Sequence, residues 1–411
     1  ADGGDAAADG GDAAADAGLW QPCAGLPPAT EERGRLVQGD ELAGNALAAC
    51  RRHRYWVVAA AGELLQIALR SHAPLGRVEV ALGWPDTGAE SPMLRTLSAA
   101  PGEGIRRLRF AAPRSGELAL WVRAADIEAA GDYDLALRCT ELCDHRSTRF
   151  PIVLVHGWTG WDEVESYTYF YRVPEHLRQR GYGVFVAGLD PYNSVRVRSG
   201  QLAEQLGAYL GSAHARRVNI IAHSQGGLDA RRVISSLGFG DRVASLTTIS
   251  TPHRGTPIAD LGLGLLPGFA EDALAWFLEW LGATAVGSES DAIASFESLT
   301  TGYVRDEFNP ANPDAPGVRY ISYAGKTCPF GLTCGDVCDI EIRWAYYVLL
   351  AVAGANDGIV PVDSAKWGDY RGTLPADHFD EVGQLLGVTG PNFDHRAFYL
   401  ELARDLADSG L

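Results

Sequence analysis

The sequence predicts a two-part chain: a small all-β sandwich over residues 19–146, then an α/β domain over 147–411 with a mostly parallel sheet and a helical lid. Three observations predict it. Apolar residues repeat at a period of two up to about Cys143. After Arg149 they form short continuous blocks that end in glycine or a polar turn. Between those blocks lie segments with helical spacing. A strand wetted on one face alternates, whereas one covered on both faces does not, so the change of pattern marks a change of architecture.

Taken in order, "ADGGDAAADGGDAAADAG" (1–18) holds no large apolar residue, so nothing offsets the entropy of ordering it. It reads as a disordered spacer, either a tether below a lipidated cysteine absent from this chain or a linker. Next come Leu65, Ile67 and Leu69; Val78, Val80 and Leu82; Leu108 and Phe110; Leu118, Leu120 and Val122; Tyr133, Leu135 and Leu137. Turn stretches such as "SHAPLG", "PDTGAESP" and "APRSGE" separate these runs, the pattern of an antiparallel sandwich. In the second part "RFPIVLVHG", "GVFVAGL", "RVNIIAHS" and "RVASLTTIST" read as buried strands. Leu202, Leu206 and Leu210 mark a helix between the second and third.

Composition narrows the partners. The 411 residues are 46% hydrophobic, enough for a sizeable core. Asp and Glu number 52 against 35 Lys and Arg, a net charge of −17, so the long-range field repels nucleic acid and anionic membrane surfaces. No window reaches the roughly 18 consecutive apolar residues of a membrane span. Cys23, Cys50, Cys139 and Cys143 cluster early, and Cys328, Cys334 and Cys338 late. Without histidines at zinc spacing, this reads as a disulfide framework in an exported protein, secreted or held at the cell surface.

"VNIIAHSQGGLDARR" (218–232) carries the chemistry. Small-x-Ser-x-Gly between a strand and a helix is the nucleophile elbow, in which small neighbours permit a turn sharp enough to thrust Ser224 above the sheet. Ala222 stands where glycine is commoner. "VLVHGWTG" ends an earlier strand, where the backbone N–H of Trp158 would join that of Gln225 as an oxyanion hole. An activated serine needs a base and an orienter. Asp357 in "GANDGIVP" is the carboxylate candidate, although Asp-Gly is also a plain turn. Only His378 and His395 follow it, and His395 sits in a helical stretch, which favours His378.

"PIVLVHGWTG", "VNIIAHSQGG", "VASLTTISTPHRGTPIADL", "DAIASFESLTT", "NDGIV" and "HFDEVGQLLGVTG" together resemble the secreted bacterial true lipases typified by Burkholderia and Pseudomonas enzymes, from about Phe150 to Leu411. The resemblance implies an α/β-hydrolase fold and a triacylglycerol lipase or esterase acting through an acyl-enzyme. It implies Ser224 as nucleophile, His378 as base, Asp357 as orienter, and Trp158 and Gln225 amides as oxyanion donors. It also implies one structural Ca2+, held by Asp380, by backbone oxygens at Gln384 and Val388, and by Asp336 or Asp339, with no organic cofactor. The alternative is that Asp380 and Glu381 merely charge a helix's first turn. Trp158 departs from the family's leucine or methionine, and its single disulfide has no clear equivalent. A dedicated folding helper belongs to the same resemblance as a candidate partner. More weakly, "GDYDLALRC" resembles the bacterial pre-peptidase C-terminal domain.

"LGLGLLPGFAEDALAWFLEWLGATAVG" (261–287), within a lid placed at about 257–287, is strongly apolar on one helical face and bracketed by glycines. The expected partner is therefore an ester at a lipid or polymer interface. His253, His223 and His156 are expected to brace rather than react. Two other readings remain: hydrolysis of polyesters or polyhydroxyalkanoates by the same triad, and a catalytically inactive surface-binding protein.

Overall fold

The computed structural model describes residues 29–37, 40–59, 62–83, 94–113, 116–126, 129–141, 148–158, 169–213, 215–265, 292–329 and 334–411. The chain divides between Cys143 and Asp144 into two compact units.

In the first unit β1 (Ala29–Leu36), β3 (Arg51–Ala59), β8 (Gly116–Ala124), β5 (Val78–Gly83) and β6 (Arg95–Ala99) form one sheet in that order. β2 (Glu41–Leu47), β9 (Gly131–Glu141), β4 (Leu64–Ser71) and β7 (Arg106–Ala111) form the other. The alternating runs turn Leu65, Ile67, Leu69, Val78, Val80, Leu82, Leu118, Leu120, Val122, Tyr133, Leu135 and Leu137 into one shared core. The expectation of an antiparallel arrangement needs one correction: β1 pairs with β3 in parallel. Buried among these apolar groups, the Tyr133 hydroxyl bridges His53 (2.7 Å) and Tyr55 (2.8 Å). Cys50 and Cys139 are each held in a disulfide.

The second unit is built on a six-stranded parallel sheet ordered β11-β10-β12-β13-β14-β15. Its strands are β10 (Ile152–Val155), β11 (Val184–Ala187), β12 (Val218–His223), β13 (Val243–Ile249), β14 (Arg319–Gly325) and β15 (Asp369–Leu374). β10, β12 and β13 are buried at every position, which is why they read as unbroken apolar runs. One face is covered by α1 (Val173–Arg178) and the helix His395–Asp408 through Val173, Leu177, Tyr399 and Leu402. The other is covered by α2 (Val195–Ser212) and α3 (Gln225–Ile234), which bring Leu202, Leu206, Leu210, Ala230 and Val233 onto Val153, Ile220 and Leu246. Ser194 caps α2 by accepting from the Val197 N–H.

Beyond β13, α4 (Pro257–Gly262), α5 (Ala292–Glu297) and α6 (Arg343–Val352) share a further cluster with Trp158 and Leu228; the C-terminal helix His395–Asp408 is α7. Of the expected lid, α4 is described, whereas 266–291 lies outside the described residues, as does the spacer 1–18. Among the described residues no helix is long and apolar enough to cross a membrane.

Candidate active site

β12 delivers its last residue directly into an elbow. Ser224 sits at φ 55°, ψ −133°, outside the regions an L-residue ordinarily occupies, and α3 starts at the next residue. The neighbours must be small because the chain is crowded there. A Cβ on Gly226 would lie 2.6 Å from the His156 carbonyl, and one on Gly227 would lie 2.0 Å from Thr251 Oγ1. Thr251 cannot give way freely, since its hydroxyl donates to the Ser224 carbonyl (2.8 Å). Ala222 is fully buried in the sheet core and fits without glycine.

Ser224 Oγ lies 3.0 Å from His378 Nε2, and His378 Nδ1 lies 2.8 Å from Asp357 Oδ2. All three are buried. The other Asp357 oxygen accepts from the N–H groups of Ile359 (2.8 Å) and Val360 (2.6 Å), which hold the carboxylate in the turn after α6. The structure thus brings together Ser224, His378 and Asp357. It places His395 elsewhere: its Nε2 donates to the Tyr171 carbonyl (2.9 Å).

The loop after β10 passes against the serine; a Cβ on Gly157 would lie 2.5 Å from Ser224 Cβ. His156 stiffens that loop. Its Nε2 accepts from the Leu189 N–H (3.0 Å), so Nδ1 carries the proton and donates to the Gly157 carbonyl (2.8 Å). Burial and the nearby Arg198 charge push the His156 pKa down to about 3. Arg198, itself fully buried and paired with Asp229 (2.8 Å), donates to the His156 carbonyl (2.6 Å). Trp158 packs edge-on against Phe296 (5.2 Å) and Tyr192 (5.5 Å). The Gln225 side chain donates to the Asn193 carbonyl (2.8 Å) and accepts from Ser295 Oγ (3.0 Å), fixing the first turn of α3.

His253 stacks on Trp367 (5.2 Å) and contacts Thr248 Oγ1 (3.0 Å), away from the serine. His223 contacts Glu381 Oε2 (2.8 Å) and the Tyr169 hydroxyl (2.6 Å), with its ring 4.5 Å from that of His378. Burial and the adjacent His378 push the His223 pKa well down, while burial and the Asp357 charge push that of Glu381 well up.

Beyond His378 the chain gathers carboxylates. Oxygens of Asp339, Asp377 and Asp380 lie within 4.8 Å of one another. Asp336 is fully buried beside Asp380, and neither of its carboxylate oxygens receives a hydrogen bond. Asp380 Oδ2 accepts from the Gly390 N–H (2.6 Å), and Asp377 accepts from the backbone of Asp339, Phe379 and Asp380. Burial, then the charge of neighbouring carboxylates, raises Asp339 to about 6; burial, opposed by the Gly390 bond and reinforced by Asp336 and Asp339, raises Asp380 to about 7. Gln384 and Val388 lie in the tight turn between Asp380 and Gly390. Sequence reasoning missed Asp377 and the burial of Glu381. Four ionisable groups in "DHFDE" were the available signal.

A strained serine at a strand-to-helix turn, with histidine and aspartate behind it on a parallel sheet, defines an α/β serine hydrolase. The chain belongs to the family of the alpha/beta hydrolase fold, whose model matches residues 151–375. It is 32% identical over 297 residues to the triacylglycerol lipase of Vibrio cholerae, covering 65% of this chain and 90% of that lipase. It is 31% identical over 300 residues to that of Burkholderia plantarii, covering 60% and 83%. The chain is a serine ester hydrolase of the lipase and esterase kind. The chain also shows similarity to the pre-peptidase C-terminal domain of a Bacillus anthracis collagenase, at a TM-score of 0.22 and 15% identity over 26% of this chain and 96% of that domain. That likeness is too slight to assign a second family.

Proposed function

We propose that this protein is an exported lipase that hydrolyses triacylglycerol-type esters at a lipid surface. Ser224 attacks the ester carbonyl as His378 Nε2 takes its proton. Asp357 holds the imidazole in the tautomer that leaves Nε2 free to accept. The N–H groups of Trp158 and Gln225 receive the developing oxyanion. The alcohol leaves with the proton from His378, and water, activated by the same histidine, then releases the acid from the acyl-enzyme. The observation that carries this reading is the unbroken Ser224–His378–Asp357 relay, with contacts of 3.0 and 2.8 Å.

Support for a lipid surface comes from bulky apolar side chains left in water. Ile340, Leu386 and Val388 are 73%, 76% and 70% exposed, and α6 exposes Tyr347, Leu350 and Val352. These flank the segments that carry Asp357 and His378. The disulfides, including Cys328–Cys334, support export.

A hard divalent cation, Ca2+, fits the acidic cluster, since a buried carboxylate without donors and mutual repulsion among its neighbours are both relieved by oxygen coordination. Asp336 and Asp380 would hold it with Asp339 and backbone oxygens at Gln384 and Val388, while Asp377 braces the turn. Bound there, the ion would fix the loop beyond His378 and take no part in bond making.

The test is a p-nitrophenyl ester series of increasing chain length, alongside a triacylglycerol emulsion. The wild type is expected to hydrolyse both. Ser224→Ala is expected to lose at least about a thousandfold in kcat/KM; retained activity in that variant overturns the reading.

A further inference from the structure

Behind the serine and histidine runs a chain of buried polar groups that the hydrolytic steps do not use. Tyr169 is 5% exposed, Ser250 1%, and His223 and Glu381 not at all. The Tyr169 hydroxyl lies close against Gly157 in the loop after β10. That hydroxyl lies 2.6 Å from His223 Nδ1, and His223 Nε2 lies 2.8 Å from Glu381 Oε2. Ser250 Oγ donates to Glu381 Oε1 (2.5 Å) and accepts from the Gly325 N–H (2.9 Å). Every link joins a different segment: the loop after β10, the end of β12, the turn after His378, and the ends of β13 and β14.

The path has no slack. A Cβ on Gly157 would meet the Tyr169 hydroxyl at 2.7 Å, and one on Gly325 would meet Glu381 Oε1 at 1.9 Å. Ser250 itself holds φ 43°, an uncommon backbone angle for a serine. Buried groups bonded this completely resist displacement, because breaking one link strands a polar atom without water.

We infer that Tyr169, His223 and Glu381 form a positioning array that sets the oxyanion loop and the His378 turn in register with Ser224. None of the three touches substrate. Tyr169 anchors Gly157, and the next N–H, that of Trp158, is the proposed oxyanion donor. Glu381 ties the turn that carries His378 to the elbow through His223, whose ring packs 4.5 Å from the His378 ring and limits its tilt. Oxyanion donors act over about 2.7–3.1 Å, and a misplacement near 1 Å costs on the order of a hundredfold in rate. The array therefore acts on the transition state and leaves ground-state binding unchanged. This inference rests on the roles proposed for Ser224, Trp158 and His378.

The test compares Tyr169→Phe, Glu381→Gln and Ser224→Ala in the full chain, with p-nitrophenyl butyrate as substrate. An alkyl boronic acid serves as probe: its boron bonds to Ser224 Oγ and mimics the tetrahedral intermediate. Active-site titration with a phosphonate counts folded, competent molecules. Tyr169→Phe is expected to lower kcat about tenfold to a hundredfold with KM within about twofold, and to raise the boronate inhibition constant in parallel. Glu381→Gln should behave alike. If Glu381→Gln does not fold, Tyr169→Phe decides. Unchanged kcat and boronate inhibition in titrated Tyr169→Phe enzyme overturns the array while leaving the triad intact. Full activity in Ser224→Ala overturns the triad instead.

Discussion

At Leu386 the backbone holds φ 56° while the side chain is 76% exposed. A bulky residue in the left-handed region costs roughly 1–2 kcal/mol, and an exposed leucine contributes little burial in return. Asparagine adopts that conformation more readily. Leu386→Asn is therefore expected to raise thermal stability slightly, lower activity on a triacylglycerol emulsion severalfold, and leave kcat/KM for a soluble butyrate ester within about twofold. An equal loss on both substrates would detach Leu386 from any role at the lipid surface. Single residues were legible in the sequence where a covalent neighbourhood announced them. Ser224 lies in a five-residue elbow, and Asp357 and His378 follow in order. Glu381 and Asp377 were not legible, because a carboxylate two residues from a turn looks the same whether water or β14 covers it. Only the close approach of Gly325 decides that Glu381 is inside.

The loop 334–342 and the turn 377–390 form the acidic element, knitted by Asp339 N–H to Asp377 (2.7 Å) and by Asn392 Nδ2 to the Gly335 carbonyl (2.6 Å). The Cys328–Cys334 disulfide closes the approach to this loop, and the buried Cys338 thiol, its pKa raised chiefly by burial, stays beside it as a packing group. Saturating Ca2+ at about a hundred times its dissociation constant would add about 2.7 kcal/mol, or roughly 5–10 °C for a unit of this size. Chelation should remove that increment from the wild type. Asp336→Asn should melt at one temperature with or without chelator, and a Ca2+-dependent shift surviving in this variant would remove Asp336 from the site. Among elements, β10 to β13 were readable as apolar runs. β14 and β15 were not: β14 carries Arg319, Tyr320 and Tyr323, and β15 is an edge strand whose "DYRGTL" alternates between exposed and half-buried positions.

Across the whole molecule, two sets of buried ionisable groups oppose each other as pH changes. His156 and His53 are held neutral by burial, their pKa values lowered to about 3 and about 4, and His223 and His253 lie well below the usual value. The unfolded chain binds these protons near pH 6.5 and the folded chain does not, so stability falls as pH drops from about 6.5 towards 3. At pH 5 His156 alone costs about 2 kcal/mol. Asp339 and Asp380 act in the reverse sense. With folded pKa values of about 6 and about 7, they bind protons more tightly than the unfolded chain, so without a cation stability falls as pH rises from about 4 to 7. A bound divalent cation replaces those protons and cancels the second trend. Asp229, raised to about 6, and Asp377 and Glu381, raised well above the usual carboxylate range, oppose the histidines in both buffers. Melting temperature should therefore rise more, or fall less, from pH 5 to 7 in Ca2+ than in chelator. Thermal melts at half-unit intervals of pH measure the difference. Parallel curves in the two buffers would mean that the carboxylates near His378 settle their charge without a metal. A gap that widens with pH would tie the stability of the turn that carries His378 to a cation bound among these aspartates.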